Sequence, residues 1–296
     1  MKKHIIIATL LSVALLAGCK SAPAEMSEVT IDGPVRPIPA WIQKPELCPG
    51  ERAPFVIICH GLTGFAQESH LTTIADSLQA RGIGSIRFNF NGHGGDYKDF
   101  EKHTISKEIE EVKAVYDYVA SLPWVDASRI GLTGHSQGGF VSGAVAGELG
   151  ADKIACLCLL APAACIYTMA QSRQIWGNDF SDADFDALAA AADADSTACQ
   201  GIPFWKGLTL GWGYLADSGR LNPWTLAARY TGPAMIIQGG ADGEDLIKDS
   251  RAYCDYMPEI EYVELEGLSH CYPENLPLVG SKAAEFFAGH LLNIPF

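Results

Sequence analysis

The sequence predicts an α/β fold: a mostly parallel central sheet with helices on both faces and one inserted cap. Three observations predict it. From Phe55 onward, short β-branched runs alternate with longer stretches of helical period. The strand-like runs are continuously apolar, as strands buried on both faces should be. Between residues 163 and 225 that alternation stops, and a segment rich in aromatic side chains takes its place.

The elements follow in order. Strand-like runs occupy 55–59, 83–90, 130–133, 154–160, 234–238 and 262–265. Between the first two lies a helical stretch at 71–80. Ile105, Ile109, Val112, Tyr116 and Val119 then recur every three or four residues, which gives a second helix one apolar face. A small-residue helix spans 138–149, and a last one spans 278–291. Within the interruption, 187–194 is Ala-rich and helical, with Ser181 and Asp182 available to cap its start. Around it lie Tyr167, Trp176, Phe180, Phe204, Trp205, Trp212, Tyr214 and Trp224, including four of the six tryptophans. An insertion of this size between two sheet strands cannot join the sheet, so it should fold over one end as a cap. Most of its aromatics would form its own small core, and some would line an apolar pocket. The organisation expected is therefore a core of 51–162 and 226–296, a cap of 163–225, and a tether with N-terminal strands in 19–50.

The N-terminus reads separately. Lys2 and Lys3 precede an apolar run at 5–17 that is too short for a stable membrane span. The run ends in Leu16-Ala17-Gly18-Cys19, which resembles a bacterial lipoprotein cleavage box. That resemblance implies removal of residues 1–18, lipidation of Cys19 and a place in the cell envelope; the alternative is an ordinary secretory signal. Residues 21–28 read as a short tether, and no other segment is apolar enough for long enough to cross a membrane.

The formal charge is −14, and loss of Lys2 and Lys3 would take it to −16. So acidic a chain does not seek nucleic acid or anionic lipid by electrostatics, and membrane contact is expected only through the anchor. Cys59, Cys156 and Cys158 sit in apolar runs as small buried hydrophobes, whereas Cys48, Cys165, Cys199, Cys254 and Cys271 could pair in an oxidising compartment. There is no CxxC and no Cys/His zinc spacing, so no structural metal and no cofactor are expected.

The chemistry lies in Gly134-His135-Ser136-Gln137-Gly138, a G-x-S-x-G pattern that follows a strand-like run and precedes a Gly/Ala-rich helix. A nucleophilic serine needs such a sharp strand-to-helix turn, and glycines tolerate the close approach around it. The turn projects Ser136 outward and aims the helix N-terminus at a developing oxyanion. A serine hydroxyl needs a base, and the base needs an orienting acid; after a turn of this kind they come in the order acid, then histidine. Of the two histidines beyond residue 242, His270 follows the strand at 262–265, while His290 lies on the terminal helix. His270 is therefore the expected base. Candidates for the acid are Asp242, Glu244 and Asp245; Asp242 stands nearest the strand end and is favoured, with Asp245 next. His60-Gly61-Leu62 closes the first parallel strand, so the N–H of Leu62, with that of Gln137, would form a two-donor oxyanion hole. His60, His93, His103 and His135 read as structural.

Taken together, these segments resemble the α/β-hydrolases, and within them the cinnamoyl (feruloyl) esterases of gut and rumen bacteria. The matching segments are His60-Gly61-Leu62-Thr63-Gly64, Asn91-Gly92-His93-Gly94, His103-Thr104, residues 134–139, residues 160–164 and His270-Cys271-Tyr272. The resemblance implies an α/β-hydrolase fold, a triad of Ser136, Asp242 and His270, and oxyanion donors at Leu62 and Gln137. It implies a small-molecule ester substrate carrying a hydroxycinnamoyl group, held beneath the cap. Trp176 and Trp205 would then stack on the ring, and Tyr167, Gln171 or Tyr214 would meet its phenolic hydroxyl. The chain departs from the family pattern around the acid, where Gly240 stands in place of a frequent Asp and Asp245-Leu246 in place of Val-Pro. Alternatives with the same triad are a monoacylglycerol lipase, an acetyl esterase or a small-peptide amidase; a binding module on the same scaffold is the non-enzymatic one.

Overall fold

A computed structural model describes residues 24–194 and 201–292. The expected leader, Cys19 and Cys199 lie outside the described residues. The chain begins with β1 (Glu25–Ile31) and β2 (Ile38–Lys44), followed by β3 (Ala53–Cys59), α1 (Ser69–Gln79) and β4 (Gly84–Phe88). Next come α2 (Ile105–Ser121), β5 (Val125–His135), α3 (Gln137–Leu149) and β6 (Cys156–Leu160). The eight-stranded sheet has the order β1-β2-β4-β3-β5-β6, continued by β11 (Ala234–Gly239) and β12 (Glu261–Leu265). From β4 to β12 every neighbouring pair is parallel; β1 and β2 form an antiparallel edge.

β3 explains why these strands read as unbroken apolar runs. Phe55, Ile57 and Cys59 point to the side covered by α2 and α3, while Val56 and Ile58 point to the side covered by α1 and α10 (Leu276–Leu291). All are fully buried, so alternation in direction leaves no alternation in polarity. The helix α2 shows the opposite pattern, with Ile105, Ile109, Val112, Val115, Tyr116 and Val119 buried on one face. Its start is fixed by Thr104, whose side chain accepts from the Lys107 N–H at 3.1 Å, an N-cap worth about 1 kcal/mol.

β1 corrects one expectation. Residues 21–28 were expected to be tether, but from Glu25 onward the chain is a strand paired with β2. As an edge strand it buries little, and its polar, alternating EMSEVTI sequence reads as linker. Its partner β2 holds it partly through the Trp41 indole N–H, which donates to Glu28 at 2.8 Å.

Residues between β6 and β11 stay outside the sheet. They form α4 (Cys165–Gln171), the pair β7 (Gln174–Ile175) and β8 (Asn178–Asp179), α5 (Asp182–Ala194), the pair β9 (Gly201–Pro203) and β10 (Thr209–Gly211), α6 (Trp212–Arg220) and α7 (Pro223–Ala227). Ser181 caps α5 reciprocally with Asp184: each side chain bonds the other's backbone N–H, at 3.2 and 2.9 Å. α5 and α4 pack on α6, and α7 packs on α3. The remaining elements, α8 (Glu244–Arg251) and α9 (Tyr253–Tyr256), link β11 to β12. No helix among the described residues is long and apolar enough to cross a membrane.

One feature of the strand order positions the site. The chain leaves β3 first toward β4 and then returns to the other side to form β5. The crevice beyond the carboxyl ends of two such strands is where open α/β sheets place their ligands.

Candidate active site

That crevice collects the residues singled out above. Cys59 of β3 pairs with Gly134 of β5, which sets His60 and Gly61 beside His135 and Ser136. At Ser136 the strand turns directly into α3 with φ 56° and ψ −121°, a left-handed conformation that costs a non-glycine residue about 1–3 kcal/mol. The Ser136 N–H is tied to the Leu160 carbonyl at 2.8 Å, and the Gly139 N–H returns to the Ser136 carbonyl at 2.9 Å. The flanking glycines are a spatial necessity. A Cβ on Gly134 would stand 2.1 Å from the Gly138 carbonyl oxygen, and one on Gly138 would stand 2.3 Å from that of His60.

His270 and Asp242 arrive from the loops after β12 and β11. His270 Nε2 lies 2.9 Å from Ser136 Oγ, and His270 Nδ1 lies 2.8 Å from Asp242 Oδ2. Asp242 also accepts from the Gln238 amide at 2.9 Å and from the Gly243 N–H at 2.7 Å. Burial pushes the Asp242 carboxyl up, but the His270 hydrogen bond and charge, with those two donors, outweigh it and hold the carboxyl below its ordinary value. Asp242 therefore stays ionised and fixes the Nδ1–H tautomer, leaving the Nε2 lone pair toward the serine. Glu244 and Asp245 sit exposed in the first turn of α8.

Gln137 is the first residue of α3, so its N–H has no acceptor within the helix. Gly61 lies against the serine, a Cβ there falling 2.9 Å from Ser136 Cβ, and this brings the Gly61–Leu62 turn to the same spot. The cap candidates differ in their surroundings. Trp176 packs edge-on to Phe204 and tilted to Tyr214, and Trp205 is 44% exposed with its ring edge-on to Tyr97. Tyr167 meets Trp224 edge-on, and the Gln171 amide donates to the Gly219 carbonyl at 3.0 Å. Tyr214 is wholly buried, and its hydroxyl donates to Gln137 Oε1 at 2.6 Å. A hydroxyl so engaged faces the elbow and not a ligand.

The histidines read as structural are buried. His60 donates from Nδ1 to the Gly61 carbonyl at 2.8 Å and accepts the Phe90 N–H at 3.0 Å, and burial lowers it to about 4. His135 has a positional part that its sequence did not signal: its Nε2 bonds the His270 carbonyl at 2.8 Å. Sequence reading also missed Gln238 and Glu108, since a lone Gln in a strand and a Glu on a helix face carry no distinguishing mark. Nor did spacing announce the buried group of His93, His103 and Glu108, whose possible ligand atoms lie within 4.8 Å of one another. Burial keeps both imidazoles neutral, His103 at about 4, as a cation site would need. Both Glu108 oxygens, however, already accept from the Gln137 amide at 2.8 Å.

A fold with a switch point at this crevice and a hydrogen-bonded Ser–His–Asp relay within it defines a class of protein. The chain belongs to the alpha/beta hydrolase family, whose model matches residues 56–287. Among solved structures it is similar to Est1E from Butyrivibrio proteoclasticus with ferulic acid bound: 27% identity, TM-score 0.75, covering 89% of this chain and 99% of that one. A second structure of Est1E gives 26% identity and TM-score 0.74, covering 90% and 99%. A hypothetical protein from Pseudomonas aeruginosa shares the fold at 16% identity and TM-score 0.71, covering 92% and 95%. No curated protein matches the chain by sequence.

Proposed function

We propose that this hydrolase is a serine carboxylic-ester hydrolase acting on hydroxycinnamoyl esters through an acyl-enzyme. The observation that carries the reading is His270, which bridges Ser136 at 2.9 Å and Asp242 at 2.8 Å. Ser136 Oγ attacks the ester carbonyl while His270 Nε2 takes its proton. The same nitrogen returns that proton to the leaving alcohol, then activates water to release the acid. Asp242 holds the tautomer and stabilises the imidazolium. The N–H groups of Leu62 and Gln137 receive the oxyanion, each such donor being worth ~100–1000-fold in rate. The substrate class is supported by Est1E, which was solved with ferulic acid. It is supported too by the Trp176, Phe204 and Trp205 rings of the insertion, each able to add about 0.5–1.5 kcal/mol against an aromatic acyl group.

The test is a panel of methyl ferulate, methyl p-coumarate, p-nitrophenyl acetate and p-nitrophenyl decanoate, with wild type and Ser136→Ala. Wild type should favour the cinnamoyl esters, and Ser136→Ala should lose ~10⁶-fold on all of them. More than about a hundredth of activity remaining in Ser136→Ala means another nucleophile. A decanoate preference would move the reading to a general carboxylesterase. We further propose, from Leu16-Ala17-Gly18-Cys19, that the enzyme is anchored to the cell envelope by a lipid on Cys19. Labelled palmitate should enter wild type and not Cys19→Ser; equal labelling of both excludes it.

A further inference from the structure

The Gln137 carboxamide lies between α2 and the cap, gripped at both ends. Its Nε2 donates to both Glu108 oxygens at 2.8 Å, and its Oε1 accepts the Tyr214 hydroxyl at 2.6 Å. Glu108 and Gln137 are 1% exposed and Tyr214 is 0% exposed. The direction of these bonds follows from the partners. The tyrosine hydroxyl donates, so the amide oxygen faces Tyr214 and the amide NH₂ faces the Glu108 carboxyl. Burial first, and Glu108 second, raise the Tyr214 hydroxyl well above its ordinary value, so it keeps its proton and donates.

We propose that Glu108 and Tyr214 are positioning residues that act through the Gln137 side chain to aim the Gln137 backbone N–H at the oxyanion. This rests on the assignment of that N–H as an oxyanion donor. Holding the amide at both faces, three bonds from Cα, fixes the first residue of α3 immediately after the strained Ser136. A left-handed serine persists only where its surroundings over-determine it, and this clamp is such a surrounding. Glu108 is also costly to keep: burial raises it well above the ordinary carboxyl range, and the nearest group of potential positive charge is the His93 ring at 3.9 Å, itself held neutral by burial. An acid retained where it destabilises the core fits a role in the reaction better than one in packing. Tyr214 belongs to α6 of the insertion, so the clamp closes only when the cap is seated. Cap docking and oxyanion geometry are then one event.

Tyr214→Phe keeps the ring and removes the donor, while Gln137→Met keeps the volume and removes all three bonds. With the full chain and p-nitrophenyl acetate, each should lower kcat by about 10–100-fold with KM within about 3-fold, since misplacement of about 1 Å near the chemistry costs up to that much. Affinity for an aryl boronic acid, whose adduct on Ser136 puts an oxygen in the oxyanion site, should fall in parallel. A purely structural clamp would instead lower the urea midpoint and leave kcat per folded molecule unchanged. Wild-type kcat and boronate affinity in folded Gln137→Met overturn the proposal. So does a change confined to KM. The underlying assignment is tested separately: a wild-type chain that neither reacts with a fluorophosphonate nor binds the boronate overturns both.

Discussion

Asp242, on the loop after β11, and Asp245, in the first turn of α8, stand three residues apart, yet only one of them touches His270. Asp242 Oδ2 takes the imidazole Nδ1–H and the Gln238 amide, and Oδ1 takes the Gly243 N–H. Asp245 is exposed on α8. Asp242→Asn should therefore lower kcat by ~10⁴-fold, because an amide can present its NH₂ to Nδ1 and stabilise the wrong tautomer. Asp245→Asn should stay within about 2-fold, a surface change with no partner in the relay. Steady-state kinetics on one ester decides it, and a reversed ranking would place the acid at Asp245. The geometry here was partly legible in sequence. Ser136 was readable because glycines must surround it, and His270 because few histidines follow. Gln238 and Glu108 were not, since their meaning comes from partners 4 and 29 residues away that only the folded chain brings near.

Elements carry the next level of constraint. The strands were legible because burial on both faces leaves an unbroken apolar run, and α2 because it covers one face only. β1 was not, because an edge strand with one wet face looks like a linker. The cap was readable as an insertion, while its short paired strands β7–β8 and β9–β10 were not, having two or three residues each and no period to detect. The strand–turn–helix junction at Ser136 admits a direct test. Gly138→Ala would put a methyl group 2.3 Å from the His60 carbonyl oxygen, with the Cys59 carbonyl at 2.9 Å. Both obstacles are backbone, so α3 must move away from the end of β3. The expected cost is about 1–3 kcal/mol, typical of overpacking, with at least ~100-fold lost from kcat as Ser136 and the proposed oxyanion donors part. Urea denaturation and kinetics on the purified variant check the two effects. Unchanged kcat would show that the junction tolerates a shift its packing does not suggest.

Across the whole molecule the balance of buried carboxyls sets how stability responds to pH, and two of them pull in opposite directions. Asp242 is held below its ordinary value, so its contribution is present above the unfolded pKa and lost as pH falls through the folded one. Glu68, at the N-terminal boundary of α1, is raised to about 7, mainly by burial, against the lowering influence of a Phe65 backbone hydrogen bond and of His270. Its Oε2 is buried without a partner. A raised carboxyl contributes stability fully below about 4.5, and that contribution is lost as pH rises through about 7. Glu68→Gln, neutral at every pH and nearly the same shape, should match wild type near pH 4 and exceed it by about 3 kcal/mol at pH 8. Urea unfolding at the two pH values measures this; an equal difference at both would mean that Glu68 does not titrate in the window. His270 is the charged group that lowers Glu68 against its burial. In the proposed mechanism, the imidazolium formed during acylation would gain from a second carboxylate. At pH 8, therefore, Glu68→Gln should be more stable and slower in kcat/KM, by about 2–5-fold for one partly screened charge. A variant that gained stability without losing rate would break that link and leave Glu68 a buried acid without a catalytic benefit.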